Sequence, residues 1–397
     1  MTLDSTDSFP TTGRRPIAIV VPGTFPIPSG RSSSVELVVD KTSGLLRRQH
    51  RIPLVVIGPK TRFQPARQTI DDVTYWRCPR QGYMRHVCAR LRKLRPAIVQ
   101  VENRPRFAQF LKQRLGMRVP VILSLHSTTF ISLPHIPRSR LLPCLRSVDA
   151  ILVNSQFLKE VLLQLDPRLG NKITVNHLGV DPERFSSRWS EEEEIIREAQ
   201  LESFGWQGAK VVLFVGRLIP IKGVHHLLKA MPKVLARDPR ARLLIVGGAF
   251  YGNNKPTPYV AELKKLAAPL GDAVRFVPYV PHEYVPEWFR LADAVIVPSA
   301  EKEAFGLVNV EAMASGVPVV ATRAGGMREV IEHELTGLLA DPEHLEEELQ
   351  TNIGSLLENP EKARTLGENG RRRVLEQFTW EHTSERLADL YGSLRKE

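Results

Sequence analysis

The chain has 397 residues, of which 42% are hydrophobic and 25% are charged. The length predicts two domains, and the composition is typical of a globular protein rather than a disordered one. The three cysteines are too few and too scattered for a disulfide framework or a zinc site, and no apolar run approaches the ~18 residues that cross a bilayer. The first residues are acidic and polar, unlike a secretory signal. We therefore expect a cytoplasmic protein.

The formal net charge of +12 is concentrated in the first half of the chain. Residues 1–190 carry 30 Lys and Arg against 12 Asp and Glu, whereas residues 191–397 carry 25 against 31. Within 77–118 there are twelve basic residues and one acidic residue, Glu102. Such a stretch is either a patch for an anionic acceptor or membrane surface, or an ordinary solvated face. No nucleic-acid recognition module accompanies it, so we expect no nucleic-acid partner.

Short, β-branched apolar runs alternate with helical periodicity along the whole chain. Continuous apolar runs are typical of strands buried on both faces, so they indicate parallel sheets. The predicted strands are 17–21, 54–57, 98–101, 121–125, 150–153 and 173–175, then 211–215, 242–246, 274–277, 294–297 and 319–321. The stretch 181–208 lacks a strand pattern. We predict an α/β protein with two Rossmann-like, doubly wound domains, 1–190 and 191–378, and a C-terminal helix within 379–397 that packs back on the first.

The segment 83–95 has an apolar stripe surrounded by arginine and lysine. Tyr83, Val87, Leu91 and Leu94 share one helical face. Two interpretations remain open. The helix lies on an anionic membrane, or it packs its stripe on the sheet as an ordinary Rossmann helix.

Two basic residues follow the predicted strand 211–215. Arg217 and Lys222 lie in the loop GRLIPIKG, which precedes a helix. Ligands bind at the carboxyl ends of strands in open α/β sheets, and a helix N-terminus adds a positive dipole. Both cations could therefore reach one diphosphate. The alternative is a pair of solvated loop cations.

Two acidic residues, Glu303 and Glu311, follow the predicted strand 294–297. Carboxylates accept hydrogen bonds from hydroxyls, which suits sugar and ribose recognition. Gly306, between them, lets backbone N–H groups approach a ligand closely. The alternative is that an acid stabilises the first turn of a helix, which accounts for Glu303 but not for Glu311.

The first half contributes weaker candidates. His126 ends the strand 121–125, and the loop 26–34 is rich in glycine and serine before a helix, which suits phosphate. The loop matches neither G-x-G-x-x-G nor the Walker pattern, so dinucleotide or ATP binding is not predicted. The sequence has no Asp-x-Asp, and we expect no metal and no cofactor.

Taken together, these residues resemble the retaining glycosyltransferases of family 4, which have the GT-B fold with an interdomain cleft. The resemblance covers nearly the whole chain. The stretches that carry it are LHS at 125–127, FVGRLIPIKG at 214–223 and VPSAEKEAFGLVNVEAMASGVPVVATRAGGMREVI at 297–331. Asn103-Arg104-Pro105 and the stretch 226–263 further resemble the branch with the spore-coat glycosyltransferases of endospore-forming bacteria. One departure is Gly30-Arg31, where the family commonly has paired glycines.

The resemblance implies four catalytic residues. Arg217 and Lys222 would hold the donor diphosphate and neutralise charge on the leaving group. Glu303 would bind hydroxyls of the transferred sugar, and His126 would lie under that sugar near the reacting carbon.

The resemblance also implies five substrate-binding residues. Backbone amides of Phe305, Gly306 and Leu307 would contact the sugar or diphosphate. Glu311 would bind the ribose hydroxyls. Gly30 would lie in the first-domain loop that closes on the diphosphate.

The implied function is metal-independent, retaining transfer of a hexosyl group from a nucleotide sugar, expected to be UDP-linked. The acceptor would be a cell-envelope, spore-coat or other glycan, a lipid-linked or a small molecule, and an anionic one suits the basic first half. The expected location is cytoplasmic, with peripheral-membrane or spore association open. The alternatives are a nucleotide-sugar epimerase on the same fold and a non-catalytic coat-associated protein that kept the fold.

Overall fold

The structure is a computed structural model that describes residues 15–29, 33–252, 255–299 and 302–395. Gly30 and Arg31 lie outside the described residues. Within the described ranges the strands form one sheet of eight and one of six. The prediction of two parallel α/β sheets is confirmed, and all eleven predicted strands are present to within two residues at either end. The domain boundary at 190/191 stays a prediction.

The first sheet has the order β3-β4-β2-β1-β5-β6-β7-β8 and is parallel except for the antiparallel pair β3–β4. Its strands are β1 (Ile17–Val20), β2 (Leu54–Pro59), β3 (Arg67–Ile70), β4 (Val73–Cys78), β5 (Ile98–Glu102), β6 (Val121–Leu125), β7 (Ala150–Val153) and β8 (Ile173–Val175). The helices between them are α1 (Ser34–Arg48), α2 (Tyr83–Leu94), α3 (Pro105–Leu115), α4 (Arg138–Ser147) and α5 (Gln156–Leu165).

The second sheet is parallel, with the order β11-β10-β9-β12-β13-β14. Its strands are β9 (Lys210–Val215), β10 (Ala241–Val246), β11 (Val274–Val277), β12 (Ala294–Val297), β13 (Val319–Thr322) and β14 (Leu338–Ala340). The helices of this half are α6 (Glu191–Ser203), α7 (Val224–Arg237), α8 (Pro258–Ala267), α9 (Pro286–Phe289), α10 (Leu307–Ala314), α11 (Met327–Val330), α12 (Leu345–Glu358), α13 (Pro360–Gln377) and α14 (Trp380–Leu394).

Three strands, β3, β4 and β14, were not predicted from the sequence. The first two form a hairpin through Asp71 and Asp72, whose φ angles of 48° and 63° fit a tight primed turn. β3 is a partly exposed edge strand without an apolar run, and β14 has only three residues. Neither β3 nor β14 therefore has the long, continuous apolar run from which the other strands were predicted.

The apolar stripe of α2 packs on the first sheet. Tyr83, Val87, Leu91 and Leu94 are buried in one core with residues of β1, β2 and β5, while the basic side chains of the helix are exposed. This stripe is therefore not available to a membrane, as the Rossmann-helix interpretation predicted. Contact of the basic face with a membrane stays a prediction. Among the described helices, none is long and apolar enough to span a bilayer.

The C-terminal helix α14 packs on the first sheet although the residues before it belong to the second half. Leu387, Leu390 and Tyr391 join the core under β1 and β2, and the buried Tyr391 hydroxyl donates to Gln100 of β5 at 2.8 Å. The chain thus crosses twice between the sheets. The two crossings lie side by side, because the Val180 amide donates to Phe378 at 2.9 Å and the Trp380 amide donates to Val180 at 3.1 Å.

Candidate active site

Arg217, Lys222 and Glu303 lie at the topological switch point of the second sheet. The strand order reverses between β9 and β12, and the loops after these neighbouring strands carry the three charges. Crevices at such points bind ligands in open α/β sheets. The two loops are in direct contact. At Gly223, where φ is +70°, a Cβ would lie only 1.8 Å from the carbonyl oxygen of Pro298.

That contact brings Lys222 onto Glu303. The lysine Nζ donates to the Glu303 carboxylate, and both side chains are only about one-fifth to one-quarter exposed. Burial raises the pKa of Glu303, but the ion pair with Lys222 and the nearby charge of Arg217 outweigh that effect and hold the pKa below its ordinary value. Glu303 is therefore ionised at neutral pH.

Arg217 lies over Tyr251, one ring of an aromatic pair that joins the two halves of the molecule. Its guanidinium lies 5.2 Å from the ring centroid of Tyr251, in the loop after β10. Tyr251 meets Phe25, in the loop after β1, edge to face at 5.6 Å. The carboxyl ends of both sheets therefore face one cleft.

Phe305, Gly306 and Leu307 form the N-terminus of α10 next to Glu303. Gly306 caps the helix with φ +80°, and a Cβ there would lie 2.5 Å from the Asn309 amide nitrogen. Phe305 is buried and stacks on His177 at 5.9 Å. The positive end of the helix dipole thus points toward the same crevice as Lys222 and Arg217.

Glu311 lies one turn into α10 and is 4% exposed. His282 Nε2 donates to its Oε1 at 2.7 Å. This histidine was not predicted as a site residue, because nothing in the sequence around it distinguishes it. His282 lies after β11, 29 residues from its partner on α10, and only the tertiary fold brings the two together.

His126 lies on the opposite side of the cleft, after β6. Its Nε2 is 2.7 Å from Glu102 and 3.1 Å from Ser124, while Asn103 accepts from its backbone amide at 2.8 Å and Asn154 donates to its carbonyl at 3.1 Å. Nδ1 is buried without a hydrogen-bond partner among the described residues. The imidazole is therefore held rigidly by the first half. Glu102, Asn103 and Asn154 end or follow strands, which is a signal the sequence analysis did not use.

The structure thus gathers Arg217, Lys222, Glu303 and the α10 N-terminus on one wall of the cleft, with His126 on the other. In the described ranges, no three His, Cys, Asp or Glu side chains are arranged to hold a metal ion.

Comparison with known proteins matches both halves. Residues 35–184 match the family model Glycosyltransferase Family 4, and residues 196–373 match Glycosyl transferases group 1. Spore coat protein SA of Bacillus subtilis is 30% identical over 96% of this chain and 100% of its own length. The chain belongs to glycosyltransferase family 4. The predicted family is confirmed, and the enzyme class is hexosyltransferase.

Two further similarities extend this result. A D-inositol 3-phosphate glycosyltransferase of Catenulispora acidiphila is 35% identical to this chain. The match covers 71% of this chain and 66% of the relative's own length. Anabaena HepE, solved in complex with UDP-glucose, superposes with a TM-score of 0.76 at 22% identity, covering 95% of this chain and 99% of that one. The latter similarity shows the GT-B fold.

Proposed function

We propose that this glycosyltransferase moves a hexosyl group from a nucleotide sugar to an acceptor with retention and without a metal ion. The observation that carries the proposal is the Lys222–Glu303 ion pair beside Arg217 at the β9/β12 switch point. When the sugar–diphosphate bond breaks, negative charge develops on the leaving oxygens. Two cations in a partly desolvated cleft stabilise that charge.

Each remaining residue has a role in the same reaction. Lys222 turns from Glu303 to the diphosphate when the donor binds, which leaves Glu303 to accept hydrogen bonds from sugar hydroxyls. The amides of Phe305, Gly306 and Leu307 bind the donor at the helix N-terminus. Glu311, oriented by His282, binds the ribose.

Retention follows if the acceptor oxygen attacks the anomeric carbon on the face from which the diphosphate leaves. The acceptor proton then passes to a diphosphate oxygen, so no enzyme nucleophile is consumed. His126 is proposed to lie beneath the sugar, and Gly30, which lies outside the described residues, is proposed to bind the diphosphate. Closure excludes water and suppresses hydrolysis.

The donor is proposed to be UDP-linked, which the UDP-glucose complex of the structurally similar HepE supports. Spore association is supported by the similarity to spore coat protein SA.

The acceptor is proposed to bind the first half and to be anionic. Arg104 follows β5, next to β1 at the switch point of the first sheet. Its guanidinium stacks on the Phe130 ring at 3.7 Å. Burial lowers its pKa, although nearby Glu36 acts in the opposite direction. A planar, stacked guanidinium suits phosphate or carboxylate. The relative named for inositol 3-phosphate supports a phosphorylated acceptor.

The function is tested by incubating the full chain with a panel of nucleotide sugars and candidate acceptors, followed by mass analysis and NMR of the product. We expect transfer from a UDP-sugar, a product with the donor's anomeric configuration, and the same rate with excess EDTA. Loss of activity with EDTA that a divalent ion restores would contradict the metal-free mechanism. Conversion of the donor sugar without any acceptor would instead identify an epimerase.

Replacing Arg104 with glutamine is expected to lower kcat/KM for an anionic acceptor by roughly 10- to 100-fold, the scale of one hydrogen bond to a charged group. Donor KM should not change. Arg106→Gln, at an exposed position on α3, is the control. Equal loss in both variants, or equal loss with neutral acceptors, would argue against acceptor recognition by Arg104.

A further inference from the structure

We propose that Glu329 is a positioning residue, which fixes the first half of the molecule against the loop that carries Glu303 and thereby sets the geometry of the cleft. The inference rests on the proposed function, because the loop in question is the one assigned to the donor sugar. Glu329 itself is not placed in contact with the substrate.

The carboxylate of Glu329 caps a helix that belongs to the other sheet. Its two oxygens accept from the backbone amides of Gln156 and Phe157, each at 2.7 Å, at the N-terminus of α5. A helix N-terminus offers unpaired N–H groups and a positive dipole, so it favours a carboxylate. Here the anion comes from residue 329, more than 170 positions along the chain.

A third contact ties the carboxylate to the chain crossing. His177 Nε2 donates to Glu329 at 2.9 Å, and the other contacts of that ring include Phe305, stacked at 5.9 Å. Burial raises the pKa of Glu329, but the hydrogen bonds from His177 and the two amides outweigh it and hold the pKa below its ordinary value. The Glu329 carboxylate is therefore ionised at neutral pH.

The segment bearing Glu329 is also joined to the catalytic loop through its backbone. The amide of Gly326, at the start of α11, donates to the Glu303 carbonyl at 3.0 Å. No side chain fits there, since a Cβ on Gly326 would lie 2.0 Å from the Ala304 oxygen and 3.0 Å from Ser155. A displacement of α5 is consequently passed on to Glu303.

The far end of α11 is anchored as well. Arg373 of α13 donates to the carbonyls of Glu329 and Val330, each at 3.0 Å, and pairs with Glu332. The chain crossing is equally tight, because a Cβ at Gly179 would lie 2.2 Å from the backbone of Thr379. The short helix is thus held by α13 on one side, and on the other side the Glu329 carboxylate binds α5.

The decisive variant is Glu329→Gln, which keeps the shape but replaces one acceptor oxygen by an NH2 group, so that at least one α5 amide loses its partner. We expect kcat for transfer to fall roughly 10- to 100-fold, because small misplacements of reacting groups cost about that much. Donor KM should change less than threefold. The share of donor lost to hydrolysis should rise, since the cleft excludes water less well. Glu329→Asp, which keeps the charge, should recover part of kcat.

Hydrogen exchange supplies a readout independent of activity. In Glu329→Gln, the amides of Gln156 and Phe157 and those of residues 303–307 should exchange faster, whereas Glu376→Gln, at an exposed position on α13, should leave both regions and kcat unchanged. Unchanged kcat in Glu329→Gln would overturn the proposal, as would faster exchange confined to α5. If the unmodified chain transferred no sugar, the proposed function would fail, while the exchange experiment would still decide the coupling.

Discussion

Replacing Lys222 with methionine should lower kcat for sugar transfer by roughly 10²- to 10³-fold, the effect of removing one group that stabilises developing negative charge. Lys222 pairs directly with Glu303, and its side chain is only about one-quarter exposed, so bulk water does not replace it. The measurement is initial-rate kinetics with the best nucleotide sugar. Arg217→Met should lower kcat by a factor in the same range. The double variant should lose less kcat than the product of the two single losses.

Lys233→Met is the matched control, because this lysine lies on the exposed face of α7, the helix that follows the Lys222 loop. It should retain full activity. Removing Lys222 leaves Glu303 without its partner, so folding must be checked by thermal unfolding. A folded Lys222→Met protein that transferred sugar at the unmodified rate would show that the leaving group is stabilised elsewhere.

Gly223→Ala is expected to lower the free energy of unfolding by roughly 3 kcal/mol or more. The residue has φ +70°, where an L side chain costs roughly 1–2 kcal/mol, and its Cβ would lie 1.8 Å from the Pro298 oxygen. Overpacking against backbone adds roughly 1–3 kcal/mol. Because the clash pushes apart the loops that carry Lys222 and Glu303, activity should fall in the fraction that still folds.

Gly208→Ala separates the two contributions. Gly208 also has a positive φ, +65°, but no heavy atom lies within 4 Å of the Cβ position. Gly208→Ala should lower the free energy of unfolding only by the backbone strain, about 1–2 kcal/mol. Urea unfolding of both variants gives the comparison. Equal losses would mean that the loop contact at Pro298 contributes nothing beyond the strained backbone angle.

Much of the site was predictable because it depends on local order along the chain. The loop after β9 and the loop after β12 each follow a buried strand that the apolar runs identify, and parallel strands place their carboxyl ends at one edge. Sequence position alone therefore places Arg217, Lys222, Glu303 and Glu311 after β9 and β12, at the carboxyl edge of the second sheet.

The partners of these residues could not be predicted in the same way. Glu311 with His282 and Arg104 with Phe130 are each separated by more than 20 residues, and Glu329 with α5 by more than 170. Nothing in the periodicity near Glu329 distinguishes it from a solvated acid on a short helix.

The sequence by itself determined the strands, their alternation with helices and the charged loops that follow them, because strand and helix periods are local properties of the chain. Only the tertiary structure decided which side chains meet across the cleft. Those pairs depend on how two separately formed sheets are placed relative to one another, and that placement is fixed by the adjoining crossings at Val180 and Thr379 and by the grip of Glu329 on α5.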